Sequence, residues 1–323
     1  MTNKYIIGLI LGLTSAVVFV SAATGPLLVR VALFLITALP VFLAGLGWGM
    51  GAALAAGLGG TLAVSVLDVR PALLFAASQA LPALVLSHLA MLSREVAVAP
   101  DTEPGRQWYP PGRLVIAAAL LSALPATLWL VMLGSDLAEL KTSLEGPIGE
   151  FIRTQMPHGP DGAPLSDEDV KRITEAIVAL LPMGSAMSWM IALLTNLWLA
   201  GRIMVASGHL VRPWPDLAAM TYPPGTPLAL AATTAASLMG GATGLAASGF
   251  AGALFLAYVL LGLAVIHYVT RGSPWRPFLL WGLYATLLLA SAPLSLPLAL
   301  LGLAETFLHL RARFSAARSP PAT

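Results

Sequence analysis

Ionisable and amide side chains are rare inside the long apolar stretches of this chain, so each one found there is a candidate for chemistry. Gln79 with Ser78, and Asn196 with Thr195, fall near the centres of two such stretches. An amide donates and accepts at once, and in apolar surroundings it either recognises a solute or ties two helices together. Proline supplies a second kind of polar group. Pro82 cannot donate to the carbonyl of Ser78, and Pro40 and Pro125 leave the carbonyls of Ile36 and Leu121 without their helical donors. Freed backbone groups at mid-depth are how many membrane transporters hold a substrate. The spacing predicts a substrate site around Gln79 and Asn196, flanked by Ser78 and Thr195. The alternative is a set of interhelical hydrogen bonds that only hold a bundle together. Thr233, Thr234 and Ser237 are weaker candidates, because hydroxyls can bond to their own helix.

Glu305 is the one carboxylate within an apolar stretch. An ionisable group in that setting is a functional candidate by default. Its neighbours His309 and Arg311 equally suit an ion pair at a membrane boundary. Small residues form a third class. Gly8, Gly12 and Ala16 sit four apart, and nine of the twelve residues from Gly49 to Gly60 are Gly or Ala. Such faces let helix backbones approach closely in lipid, either inside one chain or against a separate membrane protein. With its terminal position, the first stretch is the natural place for a partner to dock.

Enzyme chemistry has little to stand on. The chain lacks His-Glu-x-x-His, Gly-x-x-x-x-Gly-Lys and Gly-x-Ser-x-Gly, and it has no paired acids within its apolar stretches. With Glu305 alone, acid–base catalysis lacks a second group and a proton relay lacks a chain. No cysteine is present, which excludes disulfides, thiolate nucleophiles and Cys-based zinc sites. Neither a metal nor a cofactor is expected, and any energy must come from a gradient or another subunit.

The elements that carry these residues follow from composition. Of 323 residues, 58% are hydrophobic and only 10% charged, and mean hydropathy is +0.84. Apolar blocks long enough to cross the hydrocarbon core lie at 5–23, 27–46, 48–67, 71–92, 114–134, 185–206, 227–246 and 250–270. The run from Arg276 to Arg311 is too long for one crossing, and Ser291, Pro293, Ser295 and Pro297 punctuate it, so two helices are expected there. The reading is an all-α integral membrane protein of about ten transmembrane helices with one helical insert on the outer face. Residues 1–206 form a six-span bundle, 207–310 a four-span bundle, and 311–323 a disordered cytoplasmic tail. Lys4, the apolar run to Val20 and Ser21-Ala22-Ala23 also resemble a cleavable signal peptide, although a retained first helix is the expectation.

Orientation follows from the cations. With the N-terminus in the cytoplasm, Lys4, Arg94, Arg106, Arg113, Arg202, Arg212, Arg271, Arg276, Arg311, Arg313 and Arg318 all lie inside, whereas the short outer loops hold Arg30 and Arg70. His267 and Tyr268, with Trp48, Trp214, Trp275 and Trp281, suit the membrane boundary. Residues 135–183 form the outer insert, with nine acidic and four basic residues. An apolar stripe through Leu137, Leu140, Leu144, Ile148 and Phe151 is interrupted at Gly146-Pro147. After a turn at 157–162, Ser166 is an N-cap for a second helix that leads to the sixth span. The insert is either a connector or a lid. The segments 93–112 and 207–226 read as polar, Pro-rich loops. Scattered cations give no support for nucleic-acid binding.

Several segments together resemble the YybS-like family of bacterial membrane proteins. They are Leu39 to Gly49, Ala80-Leu81-Pro82-Ala83, Ala90-Met91-Leu92-Ser93-Arg94, Gly262 to His267, Gly302-Leu303-Ala304-Glu305 and Arg311-Ala312-Arg313. That family is distantly similar to the substrate-binding membrane subunits of energy-coupling-factor transporters and to the rod-shape envelope protein MreD. The likeness implies a bacterial inner-membrane protein and a docking face for an energising module at Gly8, Gly12 and Ala16. Two functions are carried forward: a solute-binding or transport subunit, and a non-transporting scaffold in envelope assembly or division. The expected partners are membrane lipid, a membrane protein or energising module, and a small-molecule solute.

Overall fold

The computed structural model describes residues 3–96, 105–134, 136–156, 158 and 162–318. Pro100 and Pro104, most of the turn at 157–162 and the chain beyond Arg318 lie outside the described residues. The described chain is almost wholly helical, and six of its helical segments are long and apolar enough to cross a membrane. It is a multi-pass membrane protein.

Helix α1 (Lys4–Ser21) starts where the Asn3 side chain accepts from the Tyr5 amide. The next apolar stretch is broken into α2 (Leu27–Ile36) and α3 (Leu39–Trp48). The break follows from Pro40, which has no N–H to offer Ile36. A glycine with φ of 83°, Gly49, then turns the chain into α4 (Met50–Ser65). Residues Val69–Met91 form one continuous segment made of α5 (Val69–Phe75), a π-helical turn at Ala76–Ala80, and α6 (Leu81–Met91). Pro82 again supplies the reason. The helix absorbs its missing donor by widening, and the Leu81 amide bonds five residues back to Ala76.

The expected loop after α6 contains an antiparallel hairpin instead, β1 (Ser93–Val96) with β2 (Gly105–Trp108), Ser93 opposite Trp108. Helix α7 (Pro111–Leu133) follows, then α8 (Leu137–Gln155) and α9 (Asp167–Ala206). The expected interruption at Gly146-Pro147 does not occur: α8 runs through it, because one lost donor on an exposed helix is tolerated where water serves the freed carbonyl. Ser166 caps α9, accepting from the Asp169 amide at 3.1 Å. At 40 residues, α9 is about 60 Å long, roughly twice a hydrocarbon core. Its first half pairs with α8 through Lys141 and Glu175, and Leu140 and Val178 pack with Leu130 and Leu245. The insert is thus a helical hairpin seated on the bundle.

Helix α10 (Thr226–Ala236) has 11 residues, not a full crossing. The expected span at 227–246 is cut by a turn before Gly241, whose φ is 69°, and the chain re-enters as the 29-residue α11 (Gly241–Val269). Helices α12 (Arg276–Leu289) and α13 (Ser291–Leu308) meet at Ala290, as the two-helix reading of that run requires. A short α14 (Leu310–Arg318) replaces the irregular tail expected as far as Arg318.

Helix α11 packs against α7, α9, α10 and α13, and one buried cluster runs from Ala38 to Ala299. The expected boundary at 206/207 therefore does not divide the core. Two crossings bring backbones into contact. A Cβ on Gly8 would meet the Ala52 carbonyl at 2.2 Å, and one on Gly12 the Ala56 carbonyl at 2.2 Å, so α1 and α4 run parallel. A Cβ on Gly262 would meet the Leu298 carbonyl at 2.0 Å, and one on Gly302 the Tyr258 carbonyl at 2.2 Å, so α11 and α13 cross with their backbones in contact. Only glycine permits such approach.

Candidate functional site

The two amides singled out by sequence do not meet in one site. Asn196 is 1% exposed. Its Nδ2 donates to the Leu35 carbonyl at 2.5 Å and to the Ala192 carbonyl at 2.6 Å. Leu35 lies beside the break that Pro40 makes, and the Ser15 hydroxyl donates to the Thr37 carbonyl at 2.6 Å. The backbone groups at the α2–α3 break are thus served by side chains from α1 and α9. Gln79, 2% exposed, donates to the Ser78 hydroxyl at 3.3 Å, and that hydroxyl donates to the Leu74 carbonyl at 2.6 Å. Thr195 points away from the bundle and is exposed. The donors of Asn196 and Gln79 go to groups of the chain itself, as the second of the two readings open to the sequence expects, while the buried Asn196 Oδ1 has no partner among the described residues. Replacing Asn196 with leucine is expected to lower stability by about 1 kcal/mol, measured as a shift in the denaturant midpoint, with solute retention unchanged.

The partner-docking face is also reassigned. Gly8, Gly12 and Ala16 are buried against α4 and neighbouring elements of the same chain. Their face is occupied, because a glycine surface that admits a foreign helix admits the chain's own Gly/Ala-rich α4 first. The hydroxyls of Thr233 and Ser237 bond to carbonyls of their own helical turn, as short polar side chains do.

Cationic residues gather at one end. The Tyr5 ring lies beside Gly51, Trp48 stacks near His209 at 5.5 Å, and the segment 207–226 is pinned there by three arginines. Arg212, from the segment itself, donates to the Ala90 carbonyl at 2.7 Å and the Tyr109 carbonyl at 2.8 Å. Arg271, just past α11, grips Asp216 with two hydrogen bonds. Arg311, in α14, donates to the Ala218 carbonyl at 2.6 Å and the Met220 carbonyl at 2.9 Å. Glu305 holds Arg311 in turn, accepting from its Nε at 2.9 Å and its backbone amide at 3.1 Å. The left-handed backbone of His309 (φ 50°) turns the chain so that this pair closes. Glu305 is therefore an ion-pair partner, 7% exposed against 6% for Arg311.

The hydrogen bond from Arg271 holds the Asp216 carboxyl below its ordinary value, with the charge of Arg271 adding to the effect. The pair thus contributes fully above the ordinary carboxylate range, and the contribution fades as pH falls through the lowered value. Arg212 differs from both other arginines. It is 7% exposed, burial alone acts on its proton affinity and lowers it, and among the described residues no carboxylate lies within ion-pairing distance of it. A guanidinium stays charged under those conditions.

This pinned segment forms one wall of a partly open cavity of about 930 Å³, bounded also by α7, α9 and α11. Leu114, Leu197, Leu260 and Ala264 give it apolar sides. Arg212, Asp216, Arg271 and His267 give it a polar end. Trp198 on α9 and Tyr284 on α12, both about half exposed, stand on its rim. His267 Nε2 lies 2.8 Å from the Tyr284 hydroxyl. A smaller, apolar cavity lies between α1, α3 and α9, near Ile10, Leu43 and Met204. Neither cavity is lined by Gln79 or Asn196. Sequence reasoning missed the larger one, although the Trp-, Pro- and Arg-rich stretch Arg212-Pro213-Trp214-Pro215 was a local signal for it.

No protein-family model, no curated protein and no solved structure matches the chain.

Proposed function

We propose that this chain is a bacterial inner-membrane protein with both termini in the cytoplasm, and that it serves as a solute-binding or transport subunit. The observation that carries the reading is the cavity of about 930 Å³ beside the 207–226 segment. It lies within the size range of small-molecule sites, roughly 300–1,000 Å³, and like them combines apolar walls with a few convergent polar groups. Its polar end coincides with the cation-bearing end of the bundle, which the positive-inside rule assigns to the cytoplasm. The scaffold reading drew on free small-residue faces and on the outer insert, and the face at Gly8, Gly12 and Ala16 is covered by α4. Docking of an energising module, if the chain has one, uses a surface other than Gly8, Gly12 and Ala16.

Native mass spectrometry of the full chain purified from its own membranes tests the binding role. A small molecule should be retained by the wild type and held more weakly or lost in Ala264→Trp, which projects a bulky ring into the cavity. A wild type that carries nothing, or a variant that retains the same molecule as firmly, would count against the cavity as the site. Orientation is tested separately. Because the chain has no cysteine, single substitutions Thr154→Cys and Ser273→Cys report cleanly. An impermeant maleimide applied to intact cells should label the first and spare the second.

A further inference from the structure

Resting on that reading of the cavity, we propose that its occupant is an anionic amphiphile, with the charged head on the Arg212 guanidinium and the hydrocarbon part between α7, α9 and α11. Three observations support this assignment.

The first is charge. Arg212 and Arg311 are equally buried, at 7% and 6% exposure, yet they are treated differently. Arg311 has Glu305 within 2.9 Å, and the more exposed Arg271 has Asp216. Arg212 has two carbonyls. Its contact with Ala90 caps the C-terminal end of α6, which accounts for part of its position. A capping role leaves the unit charge without a counter-ion among the described residues, and a buried charge in that state is costly. Of the five N–H groups on a guanidinium, two are used by these carbonyls. The charged groups lining the cavity are Arg212, Asp216 and Arg271, with His267 beside them, and Asp216 and Arg271 already neutralise each other. The lining therefore carries one excess positive charge with His267 neutral, which matches one negative head.

The second is the shape of the polarity. The charged residues come from the 207–226 segment and the end of α11, so they sit at one end of the cavity. The remaining walls, from Leu114 to Leu197 and Ala264, are apolar. A small hydrophilic anion would leave most of this surface unfilled. A molecule with a hydrocarbon body fills it, and each methylene it buries against these walls favours binding.

The third is access. Trp198 and Tyr284 lie on the rim and are half exposed on α9 and α12, helices whose outward faces are apolar. A ligand partitioned in the membrane can reach the cavity sideways, between those helices, without passing through water.

The experiment uses the full chain in phosphatidylcholine nanodiscs, titrated with oleate, with oleyl alcohol of the same chain, and with inorganic phosphate, and read by native mass spectrometry. Oleate should bind about tenfold more tightly than oleyl alcohol, since a charge-assisted hydrogen bond separates the two. Arg212→Gln should erase that preference and Arg212→Lys should keep most of it. Ala264→Trp should weaken or remove both ligands. Equal binding of oleate and oleyl alcohol, with both weakened or lost in Ala264→Trp, overturns the charge assignment while leaving the cavity as a binding site. Absence of binding by either overturns the cavity reading as well. Displacement of oleate by phosphate at matching concentration overturns the amphiphile and points to a water-soluble anion. If Arg212→Gln fails to fold, the wild-type ratio and the lysine variant still decide.

Discussion

Gly12→Leu is expected to remove most of the folded protein from the membrane fraction. The physical reason lies in the α1–α4 crossing, where a Cβ at position 12 would stand 2.2 Å from the Ala56 carbonyl and 2.8 Å from its Cα. Those are backbone atoms, so no side chain can swing aside. The helices must separate, and dispersion contact along the crossing is lost with nothing in lipid to replace it. We expect a destabilisation of about 3 kcal/mol, read as a fall in the denaturant midpoint or as loss of the monodisperse peak on gel filtration. Gly184→Ala is the matched control: nothing lies within 4 Å of a Cβ there, and no loss is expected. A Gly12→Leu protein as stable as the control would mean that α1 does not pack on α4 as described.

Glu305→Gln should produce the second large effect. Arg311 is nearly sealed from solvent and relies on Glu305 for charge balance. Removing one partner of a buried pair strands the other, at a cost of about 3–5 kcal/mol. Arg311 also serves the Ala218 and Met220 carbonyls, so the loss should spread to the segment that walls the cavity. Hydrogen exchange should accelerate across residues 216–220. In the double variant Glu305→Leu with Arg311→Leu, part of the stability should return because no lone charge remains. Exchange at 216–220 should stay fast, since those carbonyls have lost their donor. If the double variant is as damaged as the sum of the singles, the two residues are not coupled and the clamp is wrong.

Much of this architecture was legible in the residues. The missing donor at Pro40, the Ser166 cap and the meeting of two helices near Ala290 each rest on local chemistry: a proline nitrogen without its proton, a hydroxyl before a helical run, a run too long to cross once. That the first of these breaks the 27–46 stretch is visible only in the structure. The pairing of Glu305 with Arg311 was readable because both lie on adjoining turns. Other expectations failed where a local signal had a distant answer. Gly146-Pro147 did not stop α8, and Gly241 cut a stretch that hydropathy alone drew as one span. Asn196 was read as a substrate ligand, yet its Nδ2 donates to the Leu35 carbonyl beside the break in α2–α3, 161 positions earlier in the chain, and to Ala192 on its own helix. Arg212 drew no attention as a site residue, because its significance depends on which described residues the packing brings around it, and that is a property of the packed molecule.

By itself the sequence determined the solvent, the helical blocks and the division of cations between two ends. Those properties are set residue by residue, through the cost of placing each side chain and each peptide group in hydrocarbon. Tertiary structure alone decided which small-residue faces are spent inside the chain, where the buried amides turn, and that three arginines pin one loop over a cavity. The reason is that lipid and protein interior are equally apolar. An oily helix face carries no label saying whether it meets a lipid tail, another helix or an empty space, and only the crossing of distant backbones settles it.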